Sequence, residues 1–226
     1  MASAVLFDLF ETLVTESGAQ PPRVSAVGRE WGLPPERFRV EWAARRQSVV
    51  VGQRSLREAL AEVATSLGRE IPSTELDRVV DRRVRAKAEI LERIEPEIID
   101  MVRLLSENGF RLAVISNCFR EDVTAWEPCK LAPYFDNTVF SFEVGHAKPD
   151  RAIYLEACRR VRVSSAKAVF VGDGISELQG AERAGIRAHQ ALWFLRRWPH
   201  FEPHHLWLRT LANATDVMGV IPGAGW

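Results

Sequence analysis

Asp8 and Ser116 with Asn117 stand directly after short apolar runs, Asp173 with Glu177 follows a third across Gly172, and side chains of these types could together carry out a displacement. A carboxylate such as Asp8 can attack an electrophilic phosphorus or carbon, and a covalent intermediate divides one difficult displacement into two easier ones. The Ser116 hydroxyl, with backbone N–H groups beside it, can bind a substrate oxyanion. Asp173 and Glu177 put two carboxylates four residues apart, and with Asp8 they could complete an oxygen cage for a hard divalent cation. Singly, each string is commonplace. A lone Asp after an apolar strand is usually a turn residue, a Ser-Asn pair usually a loop, and Lys148-Pro149-Asp150 often just a helix start. Their joint order carries the information.

The runs that position these residues are Val5-Leu6-Phe7, Leu112-Ala113-Val114-Ile115 and Ala168-Val169-Phe170-Val171. Short, continuous and rich in Val, Ile and Phe, they read as buried parallel strands. Helical patterns lie between them. Pro96 to Asn108 places Ile98, Ile99, Val102 and Leu105 on one face and stops at Gly109, while Asp150 to Val161 and Leu178 to Ala184 precede further strands. Strand and helix in alternation predict a doubly wound α/β sheet with right-handed crossovers, whose ligands bind beyond the carboxyl ends of the strands.

Residues 15–94 are far more than the dozen or so a crossover needs, and they contain no convincing strand. Helix starts are expected at Pro21-Pro22, Pro34-Pro35-Glu36, Ser55 and Ser73-Thr74-Glu75, with Gly32, Gly52 and Gly68 as punctuation. The expected organisation is a core of residues 1–14 and 95–226 with a helical cap of residues 15–94.

Thirty basic residues offset thirty acidic ones, which argues against nucleic acid or an anionic membrane as the main partner. Cys118, Cys129 and Cys158 are odd in number and lack metal-ligand spacing, so neither a disulfide framework nor a zinc site is indicated. The start lacks a basic leader and no segment is apolar for long enough to span a bilayer, so a cytoplasmic protein is expected.

The strand ends, taken in order, resemble the motifs of the haloacid dehalogenase (HAD) superfamily. The first is Phe7-Asp8-Leu9-Phe10-Glu11-Thr12-Leu13-Val14, the second Ser116-Asn117, the third Gly145-His146-Ala147-Lys148-Pro149-Asp150, and the fourth Gly172-Asp173-Gly174-Ile175-Ser176-Glu177. The resemblance implies a HAD-type Rossmann-like doubly wound parallel sheet core with an inserted α-helical cap. It implies Asp8 as the nucleophile, with Lys148 and Ser116 as its catalytic companions. Ser116, Asn117, Thr12, Phe10 and the cap residue Arg45 are the expected substrate contacts. Asp8, Asp173, Glu177 and the backbone carbonyl of Phe10 would hold Mg²⁺, which would offset repulsion between Asp8 and an anionic substrate. The expected substrate is a small molecule, and the expected assembly a monomer or homodimer.

The pattern departs from the family at two places. Its phosphatases carry a second Asp two residues after the nucleophile, which protonates the leaving oxygen and then activates water; here that residue is Phe10. The 2-haloacid dehalogenases usually carry Tyr there and work without metal, so carbon-centre hydrolysis is the alternative, with Arg45, Arg46 or Arg54 as a halide cradle. A non-catalytic binding protein on the same scaffold is the second alternative. Glu11 stands where the family very often has Gly, and its carboxylate is a candidate substitute acid. Phosphonoacetaldehyde hydrolases also lack the second Asp and use a cap lysine to form a Schiff base. The only lysine of the cap is Lys87, which lies late in a charge-rich helix and reads as solvated. The aromatic and basic stretch of Trp193, Phe194, Trp198, Phe201 and Trp207 with Arg196, Arg197, His200, His204 and His205 is expected to pack against the sheet edge.

Overall fold

Successive residues of the first strand face opposite ways, and each side of the sheet is covered. The computed structural model describes residues 3–17, 24–198, 201 and 209–221. Six parallel strands, β1 (Ala4–Phe7), β2 (Arg111–Ser116), β3 (Asn137–Phe140), β4 (Ala168–Gly172), β5 (Arg187–Ala191) and β6 (Thr210–Leu211), lie in the order β3-β2-β1-β4-β5-β6. Val5 and Phe7 join one core with Val114, Val169 and Val171, whereas Ala4 and Leu6 join the other with Ile115 and Phe170. That alternation is the period-two geometry of a strand buried on both faces.

Among the described residues four helices separate β1 from the rest: α1 (Val24–Glu30), α2 (Pro35–Val50), α3 (Leu56–Ser66) and α4 (Ser73–Glu92). After them come α5 (Pro96–Glu107), α6 (Ser141–Val144), α7 (Arg151–Val161) and α8 (Ile175–Arg183). Helix α5 covers one face of the sheet; α7 and α8 cover the other. The three strands and three intervening helices expected of the core are all present, with ends within three residues of expectation.

The four inserted helices have a hydrophobic core of their own, centred on Trp31, Phe38, Leu56, Leu60 and Val63, which also takes in Phe119 and Ala147 from the sheet side. Local chemistry sets their ends. Ser55 caps α3 through a capping box with Glu58, Ser55 Oγ accepting from the Glu58 N–H at 3.1 Å. Pro35 opens α2 in the first-turn position where its missing N–H is harmless. Pro21 and Pro22 lie outside the described residues. At Gly52 the backbone turns through φ +72°, and a Cβ would lie 2.0 Å from the Phe142 carbonyl oxygen, so only glycine passes this contact.

Within the aromatic stretch, Trp193 and Phe194 pack against the sheet, whereas Arg196, Arg197 and Trp198 are exposed. Phe194 is buried in the sheet core with Leu211, Ala214 and Val217, and Trp193 Nε1 donates to the Thr12 carbonyl at 2.9 Å. His200, His204, His205 and Trp207 lie outside the described residues. Among the described residues no helix is long and apolar enough to cross a membrane.

Candidate active site

Strand register brings the polar strand ends together. Phe7 pairs with Val114 on one side and Val171 on the other, so Asp8 emerges level with the ends of β2 and β4. The Asp8 N–H donates to the Val171 carbonyl at 2.8 Å, and Gly172 lets the strands meet here: a Cβ on it would stand 2.9 Å from the Phe170 ring and 3.4 Å from Asp8 Cβ. This is the point where strand order reverses, β2 lying on one side of β1 and β4 on the other.

Lys148 enters from the loop before α7 and is almost wholly buried. Its Nζ donates to Asp8 Oδ1 and lies 2.8 Å from Glu177 Oε2. The Glu177 contact is a buried ion pair. Burial pulls the Lys148 ammonium towards neutrality, but Asp8 and Glu177 together outweigh it and hold the charge well above the ordinary lysine range.

Asp8, Asp173 and Glu177 each bring a carboxylate oxygen within 4.8 Å of the other two. Burial pushes Asp8 up to about 6 against the pull of Lys148. Asp173 is likewise pushed up to about 6 by burial and by the charge of Glu177. Glu177 is raised by burial, with Lys148 opposing and Asp8 adding to the rise. Three converging carboxylates facing one lysine make a hard-oxygen set short of positive charge, and a divalent cation fits it.

Supporting residues that no motif marked hold this set in place. Tyr154 donates its hydroxyl to the Glu177 carbonyl at 2.6 Å, and Gln190 Nε2 donates to the Asp173 carbonyl at 2.9 Å. Tyr154 lies on the buried face of α7, and nothing in its local sequence distinguishes it from a core residue.

The other expected contacts fare unevenly. Ser116 is buried at the end of β2. The Asn117 carboxamide is bonded to the backbone of Lys148: Nδ2 donates to the Lys148 carbonyl at 2.8 Å and Oδ1 accepts from the Lys148 N–H at 2.7 Å. Asn117 thereby positions Lys148. Thr12 is fully buried, its Oγ1 without a partner. Arg45 is turned away, bonded to Glu41 at 2.7 Å and Glu62 at 3.3 Å. The next residue, Arg46, about 100° further round α2, lines the cavity instead.

That cavity, about 370 Å³, lies between the strand ends and the inserted helices. Phe10 and Asn117 line it from the sheet; Trp42, Arg46, Arg83 and Lys87 line it from α2 and α4. Lys87 is not solvated, contrary to its place in a charge-rich helix. It is 4% exposed, pairs with Glu16, and sets Nζ 3.7 Å from the centre of the Phe10 ring. Glu11 is held at φ 60°, and its carboxylate accepts from Thr15 Oγ1 at 2.9 Å, the Glu16 N–H at 2.7 Å and Trp198 Nε1 at 2.8 Å.

The model for haloacid dehalogenase-like hydrolases matches residues 2–185. This chain belongs to that family. As a HAD hydrolase it is similar to phosphoglycolate phosphatase 1 of Pseudomonas aeruginosa, 28% identical over 187 residues, which are 81% of this chain and 66% of that protein. It is also similar to glyceraldehyde 3-phosphate phosphatase of Methanopyrus kandleri, 35% identical over 95 residues, 40% of each. The HAD chain thus matches less than two thirds of either relative's length. A crystal structure of 2-haloacid dehalogenase from Pseudomonas syringae pv. Tomato superposes with a TM-score of 0.68 at 25% identity, covering 97% of both chains.

Proposed function

We propose that this HAD hydrolase is a Mg²⁺-dependent phosphatase acting on a small phosphorylated metabolite through an aspartyl intermediate on Asp8. The convergence of Asp8, Asp173 and Glu177 around buried Lys148 carries the reading, because three carboxylates facing a single lysine suit a bound divalent cation. The phosphatase names among the relatives support it.

With its carboxyl pushed up to about 6, Asp8 is ionised at neutral pH and available to attack. Lys148 holds the Asp8 carboxylate in one orientation and offers its charge to the transferred phosphoryl group. Ser116, at the neighbouring strand end, orients that group. Asp8, Asp173 and Glu177 would hold Mg²⁺, which supplies charge neutralisation between the nucleophile and an anionic substrate. The inserted helices act as a cap, residues 15–94, that closes over the cavity and excludes water.

Carbon-centre hydrolysis is the second reading. Phe10 in place of a proton-donating residue and the likeness to a 2-haloacid dehalogenase structure favour it. One experiment separates the two. Purified protein is assayed on a panel of phosphate esters and on 2-haloacids, with and without Mg²⁺, using Asp8→Asn as the blank. Mg²⁺-dependent phosphate release lost in Asp8→Asn is the expected result. Metal-independent halide release would replace it with the second reading, and equal signal from Asp8→Asn would sink both.

A further inference from the structure

Hydrolysis of an alkyl phosphate places negative charge on the departing oxygen, and something in the site must meet it. Phe10 has no polar atom to offer. The Glu11 carboxylate is engaged by three donors, and both ends of the Asn117 carboxamide are engaged by Lys148. The Lys148 ammonium is fixed between Asp8 and Glu177. Arg83 forks onto Asp122 through Nε and Nη2, and Arg46 is exposed at the cavity rim. Lys87 is different. Its ammonium is buried and lines the same cavity as Phe10. An ammonium carries three donors, and Glu16 is its one hydrogen-bond acceptor among the described residues, so donor capacity remains.

We propose that Lys87, from the inserted helices, is the cation that meets the leaving oxygen, doing by fixed charge what Phe10 cannot do by proton transfer. The inference rests on the phosphatase reading above. Asp8 forms a bond to phosphorus while the phosphorus–oxygen ester bond breaks, and that electron pair stays on the leaving oxygen facing Lys87. The oxygen then takes a proton from water. A second water attacks the aspartyl phosphate at phosphorus, the bond to Asp8 breaks, and the proton that this water releases balances the one taken by the alcohol. Lys87 keeps its charge throughout. Its burial beside the Phe10 ring reduces the screening of its charge, part of which Glu16 offsets.

The test compares two esters of nearly equal shape, 4-nitrophenyl phosphate and 4-nitrobenzyl phosphate. Neither leaving group carries a second anion, and the phenol departs readily without help whereas the alcohol does not. Wild-type protein, Lys87→Met and Lys87→Gln are assayed with Mg²⁺, and folding is checked by thermal melting. Both variants should lose about 10²-fold in kcat on the benzyl ester and less than about threefold on the phenyl ester, the size expected for removing one preorganised charge. If Lys87→Met does not fold, Lys87→Gln is read alone. Parallel loss on the two esters, or loss in KM alone, overturns the role for Lys87 and leaves the phosphatase reading standing. No phosphate release from either ester by the wild type, when the wider panel is also inactive, overturns that reading and this inference with it.

Discussion

Arg83 and Asp122 form a two-pronged ion pair, Nε to Oδ1 at 2.6 Å and Nη2 to Oδ2 at 3.0 Å, that ties α4 to the loop after β2. Both side chains are largely buried, and Arg83 also lies over the Phe119 ring at 4.7 Å. One helical turn further on, Lys87 makes the second tie, to Glu16. One face of α4 is thus tied both to the loop after β2 and to the segment that leads from β1.

Asp122→Ala should destabilise the protein by about 3 kcal/mol, because it leaves the Arg83 guanidinium buried without its counter-charge and the Phe119 N–H without its acceptor. Arg83→Met combined with Asp122→Leu should recover much of that loss. Urea unfolding of these variants beside the wild type measures this; a double variant worse than Asp122→Ala would show that the pair contributes more than its own neutralisation.

The carboxylates predict how stability responds to pH and metal. Asp8 and Asp173 are pushed up from 3.8 to about 6, chiefly by burial, so the folded chain binds their protons more tightly than the unfolded chain does. Their contribution is complete below the unfolded value and is lost as pH rises through about 6. Without divalent cation, the melting temperature of Asp173→Asn should therefore gain on that of the wild type as pH rises from 4 to 7. Mg²⁺ should raise the wild-type melting temperature at pH 7.5, by an amount corresponding to about 2.7 kcal/mol at a hundredfold excess over Kd. A wild-type melt indifferent to Mg²⁺, read after treatment with a chelator, would rule out the cation site.

Glu11→Gln should retain turnover within about threefold of wild type. A loss near 10²-fold would instead make Glu11 the missing acid. Glu11→Ala, which removes all three accepted hydrogen bonds at a non-glycine residue held at φ 60°, should cost about 1–2 kcal/mol in urea unfolding.

Features encoded in short continuous runs are legible in the amino-acid sequence itself. Strands β1, β2 and β4 are stretches of buried apolar residues that end in the residues of the site, and Ser55 and the prolines announce helix starts. Strands β3 and β5 have no such signature: Asn137-Thr138-Val139-Phe140 and Arg187-Ala188-His189-Gln190-Ala191 lack a continuous apolar run, and their place comes from pairing with a neighbour. The cavity is less legible still. Arg45 and Arg46 are equivalent in composition, and only the rotation of α2 decides which faces inward. Lys87 sits among Arg82, Arg83 and Arg85, so nothing local separates a buried ammonium from a solvated one.

The two hydrogen bonds between the Asn117 carboxamide and the backbone of Lys148 join parts of the chain that are thirty-one residues apart. The loop that carries Lys148 is therefore not a self-contained module. Anyone grafting it into another scaffold would have to transplant the residue after β2 along with it, and a change in the length of either loop would be felt in the other.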